Sequence, residues 1–179
     1  DVISVGQGFI VKAENTNVLN FNNSLRTTTS GEFLKSGTPE RHRFWLNLSA
    51  ENEPAYNQIL IGYMNGATNE IDPQIDGELF GYNGSSLYSL IQDGQFAIQG
   101  RVLPFESADI VPLGFKADES KKFTIALTDF DGMFSEGNVT ILLNDKKQNI
   151  VHNLMESPYT FEANAGTVND RFEIIYQTE

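Results

Sequence analysis

The chain has 179 residues, 40% of them hydrophobic, and carries 24 Asp and Glu against 12 Lys and Arg, for a formal charge of -12. That length and that share of apolar residues suffice for one sizeable core and exclude a disordered chain. The acidic balance, with Lys and Arg scattered along the chain, excludes a nucleic-acid surface and docking on anionic lipid, both of which need clustered cations.

From the N-terminus, Phe9 to Ala13 and Val18 to Phe21 read as a hairpin joined by Glu14-Asn15-Thr16-Asn17. A stretch rich in breakers follows, Thr27-Thr28-Thr29-Ser30-Gly31 and Lys35-Ser36-Gly37-Thr38-Pro39, with the composition of a loop or linker. Residues 1-38 are therefore expected as an N-terminal β-hairpin and linker, readable as the tail of an upstream module, and residues 39-179 as the main module. Strands are predicted over Arg43 to Ser49, Gln58 to Met64, Leu79 to Tyr82, Leu87 to Ile91, Gln95 to Leu103, Val111 to Lys116, Lys122 to Thr128, Val139 to Asn144, Ile150 to Asn153, Tyr159 to Glu162 and Arg171 to Gln177. In Gln95 to Val102 the alternation predicts Phe96, Ile98 and Val102 toward a core, with Gln95, Gln99 and Arg101 toward water. Asp93-Gly94 predicts a primed hairpin turn with its positive φ. Asn144 to Lys147 predicts a second hairpin tip, and Pro104 and Pro112 mark strand ends or edges. No stretch holds a helical period. So many strands, some apolar on both faces, predict an all-β fold, an antiparallel β-sandwich of jelly-roll type with little helix.

Cysteine is absent, which removes disulfides, thiolate metal sites and cysteine nucleophiles together. No apolar run approaches the roughly 20 residues of a membrane span. The opening Asp1-Val2-Ile3-Ser4 lacks the regions of a signal peptide and reads as the cut edge of an excised module.

At Ser157-Pro158-Tyr159-Thr160-Phe161 and Gly166 to Ile174 the chain resembles the β-rich module that sits just before the C-terminal sorting domain in large secreted and surface proteins of Bacteroidota exported by the type IX secretion system. Gly6 to Ala13, Arg41 to Leu48, Asp76 to Phe80, Ser86 to Leu90, Ile98 to Arg101 and Asp131 to Phe134 fit the same pattern, so the likeness covers almost the whole chain. The resemblance implies a secreted or cell-surface location on the outer-membrane exterior. It also implies engagement of the type IX machinery through the parent protein, neighbouring modules in the same polypeptide, and a sorting domain after Glu179. It brings no catalytic or ligand-binding residue set.

The residues suggest three functions. The first is a non-catalytic spacer or adhesive scaffold. The second is carbohydrate binding through aromatic faces assisted by amides. Trp45 falls beside Arg43 and Asn47, opposite the apolar side of Phe44, Leu46 and Leu48, and Tyr56, Tyr82 and Tyr88 could extend the platform. The competing account encloses Trp45 under a loop with Arg43 stacked on it. The third, glycoside hydrolysis, would draw on Asp72, Asp76 and Glu78. Serine-type catalysis would need a histidine, but His42 and His152 lack a Gly-x-Ser-x-Gly elbow and read as structural or solvent-facing. No cofactor is expected except calcium, for which Asp129, Asp131 and Glu136 form one candidate cluster and Asp72, Asp76 and Glu78 the other. Against calcium stands a solvated turn whose aspartates cap their own backbone.

Overall fold

The computed structural model describes residues 11, 15-16, 18, 20-28, 41-51, 53-81 and 84-178. The chain divides into two compact units, Asp1–Thr38 and Pro39–Glu179. In the first, Asn23–Leu25 form a 3-10 turn capped by Asn22, whose side chain accepts from the Ser24 amide at 3.0 Å. The hairpin expected over Phe9 to Phe21 falls mostly outside the described residues, and Val11, Val18 and Phe21, which are described, are not in strands.

The second unit is all β. Its strands are β1 (Arg41–Ala50), β2 (Asn57–Met64), β3 (Gly77–Glu78), β4 (Ser86–Ile91), β5 (Gly94–Arg101), β6 (Val111–Ala117), β7 (Lys121–Phe130), β8 (Val139–Asp145), β9 (Ile150–Asn153), β10 (Tyr159–Ala163) and β11 (Gly166–Thr178). They form one continuous sheet in the order β10-β7-β1-β2-β5-β4-β6-β11-β8-β9, with β3 on β5, bent until it nearly closes into a barrel. The described pairings are antiparallel except β2 with β5, where Leu60 to Tyr63 run parallel to Ile98 to Arg101. Pro112 sits second in β6, level with Glu173 of β11 and one residue before the pairing with β4 begins at Leu113, which places it at a strand end as expected.

The alternation that names the core is cleanest in β1 and β8. Phe44, Leu46 and Leu48, and likewise Val139, Ile141 and Leu143, are buried. Rings from distant strands meet inside. Phe161 of β10 lies 5.2 Å from Phe115 of β6 and 4.7 Å from Phe172 of β11. At the other end of the interior Phe105 lies 5.1 Å from both Tyr63 and Tyr176. Edge-to-face pairs of this kind add about 0.5–1.5 kcal/mol each beyond area burial.

The second half of β5 reverses the expected facing. Ile98 and Val102 are 43% and 40% exposed, whereas Gln99 and Arg101 are 1% and 6% exposed. Arg101 can turn inward because it finds its counter-charge there. Its Nε donates to Asp109 Oδ2 at 3.0 Å and a second guanidinium nitrogen bonds Asp109 Oδ1. A buried charge is tolerable once paired and hydrogen-bonded. Leu79 to Tyr82 is not a strand: the pairing is confined to Gly77–Glu78, and Tyr82 lies outside the described residues.

The hairpin between β4 and β5 turns at Gln92 and Asp93, with Ile91 paired to Gly94. Its positive φ, +55°, belongs to Gln92 and not to Gly94. Gly94 serves space instead, since a β-carbon there would fall 2.6 Å from the Phe96 ring. Gly132 has both constraints. Its φ is +61°, and a β-carbon would lie 2.3 Å from His42 Nδ1 and 2.5 Å from the Arg41 carbonyl oxygen.

Candidate functional site

On the outer face of the sheet, Trp45 of β1 stands level with Leu60 of β2, and Leu60 level with Ile98 of β5. The three side chains make an apolar row across three strands. The Arg43 guanidinium lies 5.0 Å from the centre of the Trp45 ring, within cation–π range. Asp131 holds it there: Arg43 Nε donates to Oδ2 and the Arg43 amide to Oδ1, each at 2.9 Å, while the Asp131 amide returns a bond to the Arg43 carbonyl at 2.8 Å. Beside the ring is a shallow depression of about 280 Å³ lined by Trp45, Gln58, Ile59, Leu60, Ala97 and Ile98. Asn47 lies on the same face, its side-chain oxygen buried and without a partner among the described residues. A flat ring, a positioned guanidinium and neighbouring amides can take a ligand with an apolar face and polar rim.

The tyrosines expected to widen this platform do not join it. Tyr88 is 1% exposed, its ring over Gly114 and its hydroxyl donating to Asn169 Oδ1 at 2.8 Å. Burial pushes this phenol up to about 12. Tyr56 precedes β2, its amide donating to the Leu48 carbonyl at 2.7 Å; its ring packs 6.2 Å from Phe123 and its hydroxyl accepts from Lys121 Nζ at 2.9 Å. Both rings find apolar cover on the molecule itself, which is the ordinary fate of a large aromatic. Tyr82 lies outside the described residues.

The four aspartates among the acidic candidates are engaged by the chain. Asp76 accepts from the amides of Asp72 and Gly100, both at 2.7 Å, and Asp72 accepts from the Thr68 amide at 2.6 Å. Glu78 is exposed on β3, two residues after Asp76 and level with Phe96 of β5. Asp131 is taken by Arg43, Asp129 caps the Phe130 amide at 2.9 Å, and Glu136 is exposed after the 3-10 turn Gly132–Ser135. Among the described residues no group of three or more His, Cys, Asp or Glu comes together to hold a metal ion. His42 Nδ1 accepts from the Met133 amide at 2.9 Å and His152 Nε2 lies 2.8 Å from the Ser157 carbonyl.

Two buried polar networks were not foreseen. In one, Tyr63 donates to Asp109 at 2.7 Å and stands 2.9 Å from the Tyr176 hydroxyl, while Asp109 is clasped by Arg101. Burial above all, then the neighbouring phenol and Asp109, raises Tyr63 far above an ordinary tyrosine. In the other, Asp145 accepts from Arg171 Nε at 3.0 Å and from Tyr159 at 2.9 Å. Burial alone would raise this carboxyl, but the bonds from Arg171 and Tyr159 outweigh it and hold the group below its usual value. The signal was in the period: Asp145 has the parity of Val139, Ile141 and Leu143, so the alternation that buries them buries it too.

The family described as Domain of unknown function (DUF8693) matches the chain over residues 1–176. No curated protein and no solved structure matches it.

Proposed function

We propose that this chain, which belongs to the DUF8693 family, is a non-catalytic β-sandwich module of an exported bacterial protein, serving as a spacer or adhesive scaffold on the cell exterior. The observation that carries the reading is where the polar groups point. Asp72, Asp76 and Asp131 are spent on backbone amides or on Arg43, and the pairs Arg101–Asp109 and Arg171–Asp145 tie β5 to the loop before β6 and β11 to β8. A glycosidase would need two carboxyl groups facing one another across a cleft, about 5–10 Å apart and free to exchange protons. The sandwich description draws support from the rings of β10 and β1 that meet those of β6 and β11, as Phe161 meets Phe115 and Phe44 meets Tyr176 at 6.4 Å. The likeness to modules that precede type IX sorting domains supports the address.

The test is made on whole cells. Protease shaving of intact cells should release peptides of this module, and disabling the type IX translocon should remove them from the surface. Recovery only from the cytoplasm, or polysaccharide hydrolysis by the purified chain, would overturn the proposal.

One observation favours a second reading, carbohydrate binding at Trp45. The half-buried ring lies beside a depression, with Arg43 fixed over it by Asp131. Trp45 is the only tryptophan, so its fluorescence reports this site alone. Saturable changes on titration with a glycan, lost in Trp45→Phe when binding is followed by calorimetry, would support it, and flat titrations across a glycan array would end it.

A further inference from the structure

A second concave surface lies away from Trp45. It is a cleft of about 450 Å³ at one end of the sheet, where three turns from distant parts of the chain converge. Ser120 comes from the turn between β6 and β7, Lys147 and Gln148 from the β8–β9 tip, and Asn164 from the turn between β10 and β11; Lys121 and Lys122 open β7 beside them. Three of the chain's twelve Lys and Arg thus line one cleft of a molecule whose formal charge is -12. Lys121 is committed to Glu119 at 2.8 Å and Glu53 at 3.2 Å. Lys122 and Lys147 make no ion pair among the described residues.

The turns are held in place from beneath. Asp145 Oδ1 accepts from the amides of Lys147 at 3.0 Å and Gln148 at 3.2 Å, and Asp145 is itself clamped by Arg171. The same arginine donates to the Glu162 carbonyl at 3.0 Å, and the Ala165 amide donates to Ser120 Oγ at 3.2 Å. Buried charge therefore fixes the geometry of an exposed cationic cleft, which lowers the ordering cost of binding.

We infer that this cleft binds an acidic saccharide, with Lys122 and Lys147 meeting its carboxylate or sulfate and Gln148, Asn164 and Ser120 meeting its hydroxyls. One carboxylate also lines the wall: Glu162 stands level with Lys122 across the β10–β7 pair. It disfavours a bare inorganic anion and suits a ligand that has hydroxyl donors beside its acid group. The lining is polar apart from Ala163, which suits a hydroxylated ligand better than an apolar peptide side chain. This site is separate from the Trp45 face and does not depend on the scaffold proposal.

The test is calorimetric titration of the full chain with a galacturonic acid oligomer, a sulfated galactose oligomer, the same galactose oligomer without sulfate, and poly-glutamate. Binding to one or both acidic oligomers is expected, weakening as salt is raised. In Lys122→Gln/Lys147→Gln the affinity should fall by about tenfold or more, with melting unchanged, while Lys116→Gln, on β6 outside the cleft, should bind as the parent does. The uronate and sulfate arms tell which acid group is read. No binding to either acidic oligomer, equal binding of the neutral one, tighter binding of poly-glutamate, or unaltered affinity in the double variant would each overturn the inference.

Discussion

Arg171 and Asp145 bury a complete ion pair between two aromatic rings. The guanidinium carbon lies 4.8 Å from the centre of Phe161 and 4.7 Å from that of Phe172, while Nη2 donates to Asp145 Oδ2 at 2.7 Å. The Arg171 side chain is 4% exposed and that of Asp145 0%. The pair joins β11 to the end of β8, and through the Glu162 carbonyl to β10.

Removing one partner strands the other in a dry interior. Asp145→Asn is expected to cost about 3–5 kcal/mol, the usual penalty for an uncompensated buried charge, read as a lowered midpoint in urea. The Arg171→Met/Asp145→Asn double variant should lose less than the sum of the two singles, since the orphaned charge is gone. Additive losses would mean that the two residues act separately.

The pair also sets a pH dependence. The Asp145 carboxyl is held below its unfolded value of about 3.9. Its stabilising contribution is therefore complete above that value and is lost as pH falls through the lower folded one. Urea midpoints measured from about pH 5 downward should fall more steeply for the parent than for Asp145→Asn. On the alkaline side the signs reverse. Tyr88 is pushed up to about 12 by burial, and Tyr159 to about 12 by burial and then by Asp145. Each contributes stability below about pH 10 that disappears as pH rises through 12. Phenolate absorbance should accordingly lag an ordinary tyrosine titration, and Tyr88→Phe should remove one late step.

Gln99 is 1% exposed, and neither of its amide atoms has a hydrogen-bond partner among the described residues. Replacing an unsatisfied amide by an apolar chain of similar shape removes a desolvation cost of about 1–3 kcal/mol. Gln99→Met is expected to raise the melting temperature, and a fall would show that the amide is engaged.

Asp72, Asp76 and Asp131 already accept two bonds or more each from the chain. Excess chelator should leave the melting temperature unchanged. A drop reversed by added calcium would reinstate an ion at one of these turns.

Gly132→Ala places a β-carbon against His42 Nδ1, the atom that accepts from the Met133 amide, at a φ that favours glycine. The expected loss is more than about 1 kcal/mol. Stability equal to the parent would mean that the turn relaxes freely.

Where the facing of a residue depends on its own strand, the sequence was legible. Phe44, Leu46 and Leu48 turned inward, and Trp45 outward, as their alternation required. Where facing depends on a partner far away in the chain, it was not. Ile98 is on the outside because Leu60 and Trp45 give it apolar neighbours there, and Arg101 is inside because Asp109 and Tyr63 wait for it. A period of two cannot choose between faces that are both partly apolar. Tyr88 illustrates the same limit, since its cover is the missing side chain of Gly114 and the amide of Asn169. The lysine cleft was hidden for a related reason: Ser120, Lys147 and Asn164 become neighbours only when three turns meet.

The last strand, β11, is bonded to β6 along one edge and to β8 along the other. A strand that comes after both of its neighbours in sequence is the one that joins them, so β6 and β8 lack a shared template until the residues up to Thr178 are present, and closure of this part of the sheet waits for β11.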